Sequence, residues 1–254
     1  MIEIGMDRDT LHLWCAYPDD LLSEEAMHVC LELLSPDERA RWKAFKADRH
    51  RREYLATHAL ARTAISHHLG IAPEALRFQT NPFGKPSPDP ECGLRFNLSN
   101  SLGLVVCLFW EGGDVGVDVE PRERGQAIRE VAPRMFSPLE LAQLNDLSAE
   151  AGITRCLQLW TLKEAYIKAR GMGFKLPLRR FSFLYDEMDR IRLTLEPALN
   201  DDAAHWRFCL LEHAGHCIAL LVDSPAMPLL RVWEARPAFA APRRVDSVAV
   251  AWHQ

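Results

Sequence analysis

The strongest constraint on this chain is an order of local signals that occurs twice. Ser35-Pro36-Asp37-Glu38 has the form of a helix start. Serine caps the first free amides, proline suits the first helical position, and glutamate reaches back to the cap. Ser137-Pro138-Leu139-Glu140 repeats the signal 102 positions later. Each start precedes a longer helical stretch, about 48–69 in the first half and about 153–170 in the second. Both stretches stop at glycine, Gly70 and Gly171, with Pro73 and Pro177 just beyond. Strand-like runs follow in each half: 76–78, 94–98, 104–110 and 115–119, then 181–185, 191–195, 206–211, 217–222 and 230–234. The order predicts an α+β fold of two similar subdomains in pseudo-twofold arrangement, each a helix pair packed on a small antiparallel sheet. The expected limits are 1–112 for the N-terminal subdomain and 113–236 for the C-terminal one, with an irregular tail over 237–254. Proline-rich 82–90 reads as an extended surface loop. In such a doubled chain the crevice between the halves is the natural ligand site.

With 254 residues, 48% of them hydrophobic and 26% charged, the chain can bury one large core or two small ones. A formal net charge of −5 argues against nucleic-acid binding through a general basic field. No run approaches the roughly 18 uncharged apolar residues needed to span a bilayer. Residues 1–9 hold no apolar signal core, so a cytoplasmic protein without membrane association is expected. The seven cysteines form no CxxC pair, which argues against a zinc site. Most sit in apolar runs such as Val105-Val106-Cys107-Leu108-Phe109, as buried reduced thiols do. The ten histidines, including His67-His68 near a helix end, read as capping or surface residues.

The most informative segment is Gly116-Val117-Asp118-Val119-Glu120. Its valines alternate with Gly116, Asp118 and Glu120, so on a strand both carboxylates share one face. Two such carboxylates repel unless positive charge lies between them. Hard oxygen ligands suit magnesium, which takes one or two carboxylates together with substrate phosphates. A solvated strand edge fits this pentapeptide equally well.

The second segment is Trp160-Thr161-Leu162-Lys163-Glu164-Ala165-Tyr166-Ile167-Lys168. Helical spacing puts Leu159, Leu162, Tyr166 and Ala169 on the core side and aligns Trp160, Glu164 and Lys168 on a neighbouring face. Taken alone, Glu164 and Lys168 also read as an ordinary helix ion pair worth a few tenths of a kcal/mol.

Together, in this order, the two segments resemble the paired signatures of Sfp-type 4'-phosphopantetheinyl transferases. The likeness extends upstream to Phe96-Asn97-Leu98-Ser99-Asn100-Ser101 and Gly84-Lys85-Pro86, and so spans most of the region from Ser35 to Phe183. The resemblance implies the pseudo-dimeric transferase fold with coenzyme A in the cleft between the halves. It makes Asp118, Glu120 and Glu164 the acids that hold magnesium on the coenzyme A diphosphate, with manganese as a substitute. Asp118 and Lys168 would lie at the diphosphate, and Arg41, Lys85, Ser99 and Asn100 near the nucleotide phosphates. The family usually has histidine after that serine, contacting the 3'-phosphate, where this chain has Asn100. Asparagine donates a hydrogen bond but carries no charge at any pH.

The implied activity transfers the 4'-phosphopantetheine moiety of coenzyme A to a serine of an apo acyl or peptidyl carrier protein, releasing 3',5'-ADP. A metal and a lysine stabilise charge on the phosphoryl oxygens, and a carboxylate takes the serine proton. Glu164 and Lys168 are the catalytic residues expected, although a water held by Glu120 serves better as base if Glu164 ligates the metal. Two alternatives fit the same residues: a magnesium-dependent phosphohydrolase acting on coenzyme A-like diphosphates, or a catalytically silent module binding coenzyme A or a carrier. An acidic carrier needs a local basic patch on this net-negative chain. The stretch 121–134 offers Arg122 and Arg124, with Arg129 and Arg134, beside Glu120, and Ile128 and Val131 for apolar contact. An internally doubled chain has little need to dimerise, so a monomer is expected.

Overall fold

The computed structural model describes residues 10–236, 242–245 and 251–253. They fall into two units. The first contains 10–81, 86–112, 228–236 and 242–245, and the second 82–85, 113–227 and 251–253. Both are mixed helix and sheet.

The first unit opens with β1 (Thr10–Ala16), followed by α1 (Glu24–Leu33), α2 (Pro36–Ala44) and α3 (Asp48–Leu69). A small hairpin of β2 (Phe78–Thr80) and β3 (Pro86–Pro88) leads to β4 (Arg95–Ser101) and β5 (Leu104–Trp110). The second unit repeats the order with β6 (Val115–Pro121), α4 (Gly125–Met135), α5 (Pro138–Asn145) and α6 (Ala149–Arg170). The hairpin of β7 (Phe181–Tyr185) and β8 (Ile191–Leu195) then leads to β9 (Trp206–His213) and β10 (His216–Asp223). In each unit the opening strand pairs antiparallel with the last of these strands, β1 with β5 and β6 with β10.

The chain then departs from the expected order. β11 (Leu229–Glu234), expected in the second unit's sheet, lies parallel to β1 in the first, and β12 (Arg243–Arg244) pairs beyond it. The first sheet is therefore mixed rather than antiparallel. Burial of Trp233 explains the placement: its ring packs against Trp14 and His12, and its Nε1–H donates to His12 Nδ1 at 3.2 Å. Within the expected irregular tail, β12 and β13 (Trp252–His253) are short strands, the latter on β9. Residues 237–241, 246–250 and 254 of that tail lie outside the described residues. The stretch 121–134 is a short 3-10 turn followed by most of α4, and part of the 82–90 loop pairs as β3.

Both helix starts are full capping boxes. Ser35 and Ser137 each accept from the amide of the glutamate three residues on, whose carboxylate accepts from the serine's own amide. Each capping glutamate also holds a buried cation at the same place on the 22-residue helix that follows: Arg62 and Lys163 each stand fourteen residues after the helix's first residue. Arg62 Nε donates to Glu38 at 2.7 Å and Lys163 Nζ to Glu140 at 2.8 Å. Each cation also donates to two backbone carbonyls beyond its helix, those of Pro73 and Leu76 or of Leu178 and Phe181. Each lies over a phenylalanine of the hairpin, Phe78 or Phe181. Charges buried this way persist because their donors and lone pairs are met. Burial pushes Lys163 down to about 8, the neighbouring Glu140 charge opposing the shift.

Each unit has its own apolar core. That of the second includes Leu159, Leu162, Tyr166 and Ala169 of α6 with Cys217, Ala219 and Leu221 of β10. A fully buried leucine contributes about 2 kcal/mol, against tenths for a surface ion pair. The core stripe therefore sets the rotation of α6, and the Trp160-Glu164-Lys168 face goes where that rotation sends it. Among the described residues no helix is long and apolar enough to cross a membrane.

Candidate active site

The face carrying Asp118 and Glu120 lies beneath α6, and Gly116 makes the approach possible. A Cβ at Gly116 would fall 2.0 Å from the Ala165 carbonyl oxygen and 2.5 Å from the Ala169 nitrogen. Only glycine lets strand and helix come this close. Both acids are consequently buried, each 6% exposed, rather than lying on a solvated edge.

Three side chains reach them. Lys168 Nζ donates to Asp118 Oδ1 at 2.7 Å. Trp160 Nε1–H donates to Glu120 Oε1 at 3.1 Å, and Arg124 Nη1 spans both oxygens of Glu120 at 2.6 and 2.8 Å. Glu164, between Trp160 and Lys168 on α6, is pushed up to about 7. Burial is the main cause, with the Asp118 and then Glu120 charges adding to it and Lys168 and Arg124 opposing. The carboxylate thus sits near neutrality, where a proton acceptor is most useful.

Glu164, whose proton affinity the Asp118 and Glu120 charges raise, makes with those two acids a donor set of hard oxygens, so the residues suit magnesium. Among the described residues no three ligating side chains converge on one point. Lys168 and Arg124 hold Asp118 and Glu120 instead.

Residues 114–221, which contain this constellation, match the family model described as the 4'-phosphopantetheinyl transferase superfamily. The 4'-phosphopantetheinyl transferase HetI of Nostoc sp. is 30% identical over 217 residues, covering 83% of this chain and 86% of the relative. The 4'-phosphopantetheinyl transferase Sfp of Bacillus subtilis is 29% identical over 187 residues, 73% and 81% of the two chains. A phosphopantetheinyl transferase of Thraustochytrium sp. is 31% identical over 203 residues, 74% and 69% of the two chains. The chain belongs to the 4'-phosphopantetheinyl transferase family.

The remaining expected site residues divide between the two units. In the second unit, Lys85 Nζ donates to Asp114 at 3.0 Å and to the Ala169 carbonyl at 2.6 Å, near the carbonyl end of α6. Arg41, exposed on α2, and Ser99 and Asn100, buried and exposed on β4, belong to the first unit. Arg122, expected to face a carrier, is paired with Glu212 at the rim of a pocket of about 490 Å³ lined by Ile153, Leu157 and Leu210. Arg124, 45% exposed at its side chain, is paired with Glu120. Ile128 is buried, which leaves Val131 as the exposed apolar residue of that pair.

Two contributions escaped the sequence reading. The packing role of Gly116 was signalled by a glycine on the acid-bearing face of the strand. The Lys163–Glu140 pair was signalled by the duplicated capping box and a cation at matching helix positions. In the first unit His67 stands nineteen residues into α3, as Lys168 does in α6, and its ring meets Trp14 of β1 at 5.7 Å. Aromatic packing therefore occupies the place of the acid–lysine pair, and burial and His68 lower the His67 pKa.

Proposed function

We propose that this transferase moves the 4'-phosphopantetheine moiety of coenzyme A onto a serine hydroxyl of an apo acyl or peptidyl carrier protein, releasing 3',5'-ADP, in a magnesium-dependent reaction. The observation that carries the reading is the placement of Asp118 and Glu120 on β6 beneath the α6 that bears Glu164 and Lys168, in a chain whose relatives bear this activity in their names.

Asp118, Glu120 and Glu164 would hold the ion, which when bound would supply Lewis-acid charge to the reaction. Lys168, anchored by Asp118 and 28% exposed, offsets charge as it grows on the leaving diphosphate. Glu164 accepts the serine proton at its carboxylate, a task its raised pKa favours. A cation on Glu164 lowers its basicity, and a water held by Glu120 is then the better base. Trp160 fixes the orientation of Glu120. Arg41, Lys85, Ser99 and Asn100 are assigned to the nucleotide phosphates, with Asn100 supplying an uncharged donor.

The test is intact mass measurement of apo carrier proteins incubated with enzyme, coenzyme A and magnesium, with and without EDTA. The reading requires a gain of one phosphopantetheine that EDTA abolishes. Release of 3',5'-ADP without carrier would identify a phosphohydrolase. Coenzyme A binding without either product would identify a silent module.

A further inference from the structure

Arg124 carries a charge that the proposed reaction does not use. β6 ends at Pro121, and the 3-10 turn over Arg122–Arg124 folds the chain back, so the guanidinium returns to the acid four residues earlier. It engages both oxygens of Glu120, at 2.6 and 2.8 Å. Trp160 holds Glu120 from α6, and the acid's side chain is 8% exposed, while that of Arg124 is 45% exposed. The two partners are therefore unequal: the carboxylate is fixed, and the guanidinium has water to move into.

Charge and geometry then act together. With Glu164 ionised, three carboxylates face Lys168 and Arg124, leaving one net negative charge. Withdrawal of Arg124 would leave two, which favours a dication more strongly. A guanidinium spanning both oxygens also covers the lone pairs that an ion would need. Lys168 differs, since it pairs with Asp118 through a single oxygen contact and is less exposed.

We infer that Arg124 is a displaceable counter-ion, closing Glu120 until a divalent cation takes the carboxylate and then swinging into solvent. Arg124 thereby sets how tightly the site binds its cation. The inference rests on the assignment of Glu120 as a cation ligand, and the test separates the two.

Manganese is the probe, with free Mn²⁺ followed by electron paramagnetic resonance at low ionic strength in the absence of coenzyme A. Wild type is compared with Arg124→Gln, Arg124→Lys, Glu120→Gln and the Arg124→Gln, Glu120→Gln double variant. Arg124→Gln is expected to tighten Mn²⁺ binding roughly two- to fivefold, the range for one solvent-facing ion pair. Arg124→Lys, which keeps the charge and loses the planar guanidinium, should fall between. Glu120→Gln should weaken binding and abolish the gain in the double variant. Unchanged or weaker affinity in Arg124→Gln, with Glu120→Gln still weakening, overturns the counter-ion role and leaves the ligand assignment standing. Unchanged affinity in Glu120→Gln overturns both.

Discussion

Replacing Glu164 with glutamine should stabilise the metal-free protein while abolishing transfer. The reasoning starts from its raised pKa. Burial and the Asp118 charge lift the carboxyl from 4.5 to about 7, so the folded protein holds this proton more tightly than the unfolded chain does. For an acid shifted upward, ionisation is resisted in the folded state. The burden is absent below the unfolded value, grows as pH rises from about 4.5 to about 7, and is complete above that. Each pH unit in that span corresponds to about 1.4 kcal/mol, so the full burden is about 3 kcal/mol. Glutamine keeps the shape and never ionises.

The assay is thermal or urea unfolding of wild type and Glu164→Gln in EDTA across about pH 5 to pH 8. At about pH 8 the variant's midpoint should rise by several degrees, following the usual relation between free energy and midpoint for chains of this size. The advantage should shrink as pH falls, to about 1 kcal/mol at about pH 5. Magnesium should narrow or reverse the difference, because a ligand bound only by the folded wild type stabilises it by mass action. A variant no more stable than wild type at about pH 8, or an advantage independent of pH, would refute the assignment of Glu164 as a strained acid among acids.

Gly116→Ala should lower stability by about 1–3 kcal/mol and depress kcat, read by urea unfolding and carrier modification. Ala169→Gly should not rescue it, because the nearest obstruction is the Ala165 carbonyl. Lys163→Met leaves Glu140 buried without its cation and should destabilise by about 3–5 kcal/mol; pairing it with Glu140→Gln should recover part of the loss, measured as a double-mutant cycle. Asn100→His should raise the preference for coenzyme A over dephospho-coenzyme A in kcat/KM, most visibly below about pH 6.5; an unchanged ratio removes Asn100 from 3'-phosphate recognition. Arg122→Glu should raise KM for an acidic carrier at low salt and leave KM for coenzyme A unchanged; equal carrier kinetics would place docking elsewhere.

What was legible in the sequence was local. α3 begins at Asp48 and ends before Gly70, and β5, β7 and β8 keep their expected limits, because capping chemistry, left-handed glycine and period-two alternation are written within a few residues. α6 starts at Ala149, earlier than its apolar periodicity suggests, because Ser148 supplies the cap. β1 and its parallel partner β11 are joined through more than two hundred intervening residues, so no local pattern announces the pairing. α4 was hidden by Pro133 in its last turn and by the lack of a side-chain cap. At the site, alternation placed Asp118 and Glu120 on one face, but whether water or a helix covered it depended on Gly116, whose meaning is tertiary.

The two units also separate what builds the scaffold from what gives it chemistry. Capping box, buried cation and left-handed glycine recur at corresponding positions, so α3 and α6 are held by the same device. Position nineteen of each helix then meets the opening strand: Lys168 meets Asp118, and His67 meets Trp14. Thr63 stands fifteen residues into α3, where α6 has Glu164. A buried tryptophan face needs no counter-ion, whereas buried acids persist only with cations in reach. Lys168 and Arg124 therefore offset the charge of the second unit's acids before any substrate arrives. The same charges that make the acids tolerable are those that catalysis must redirect.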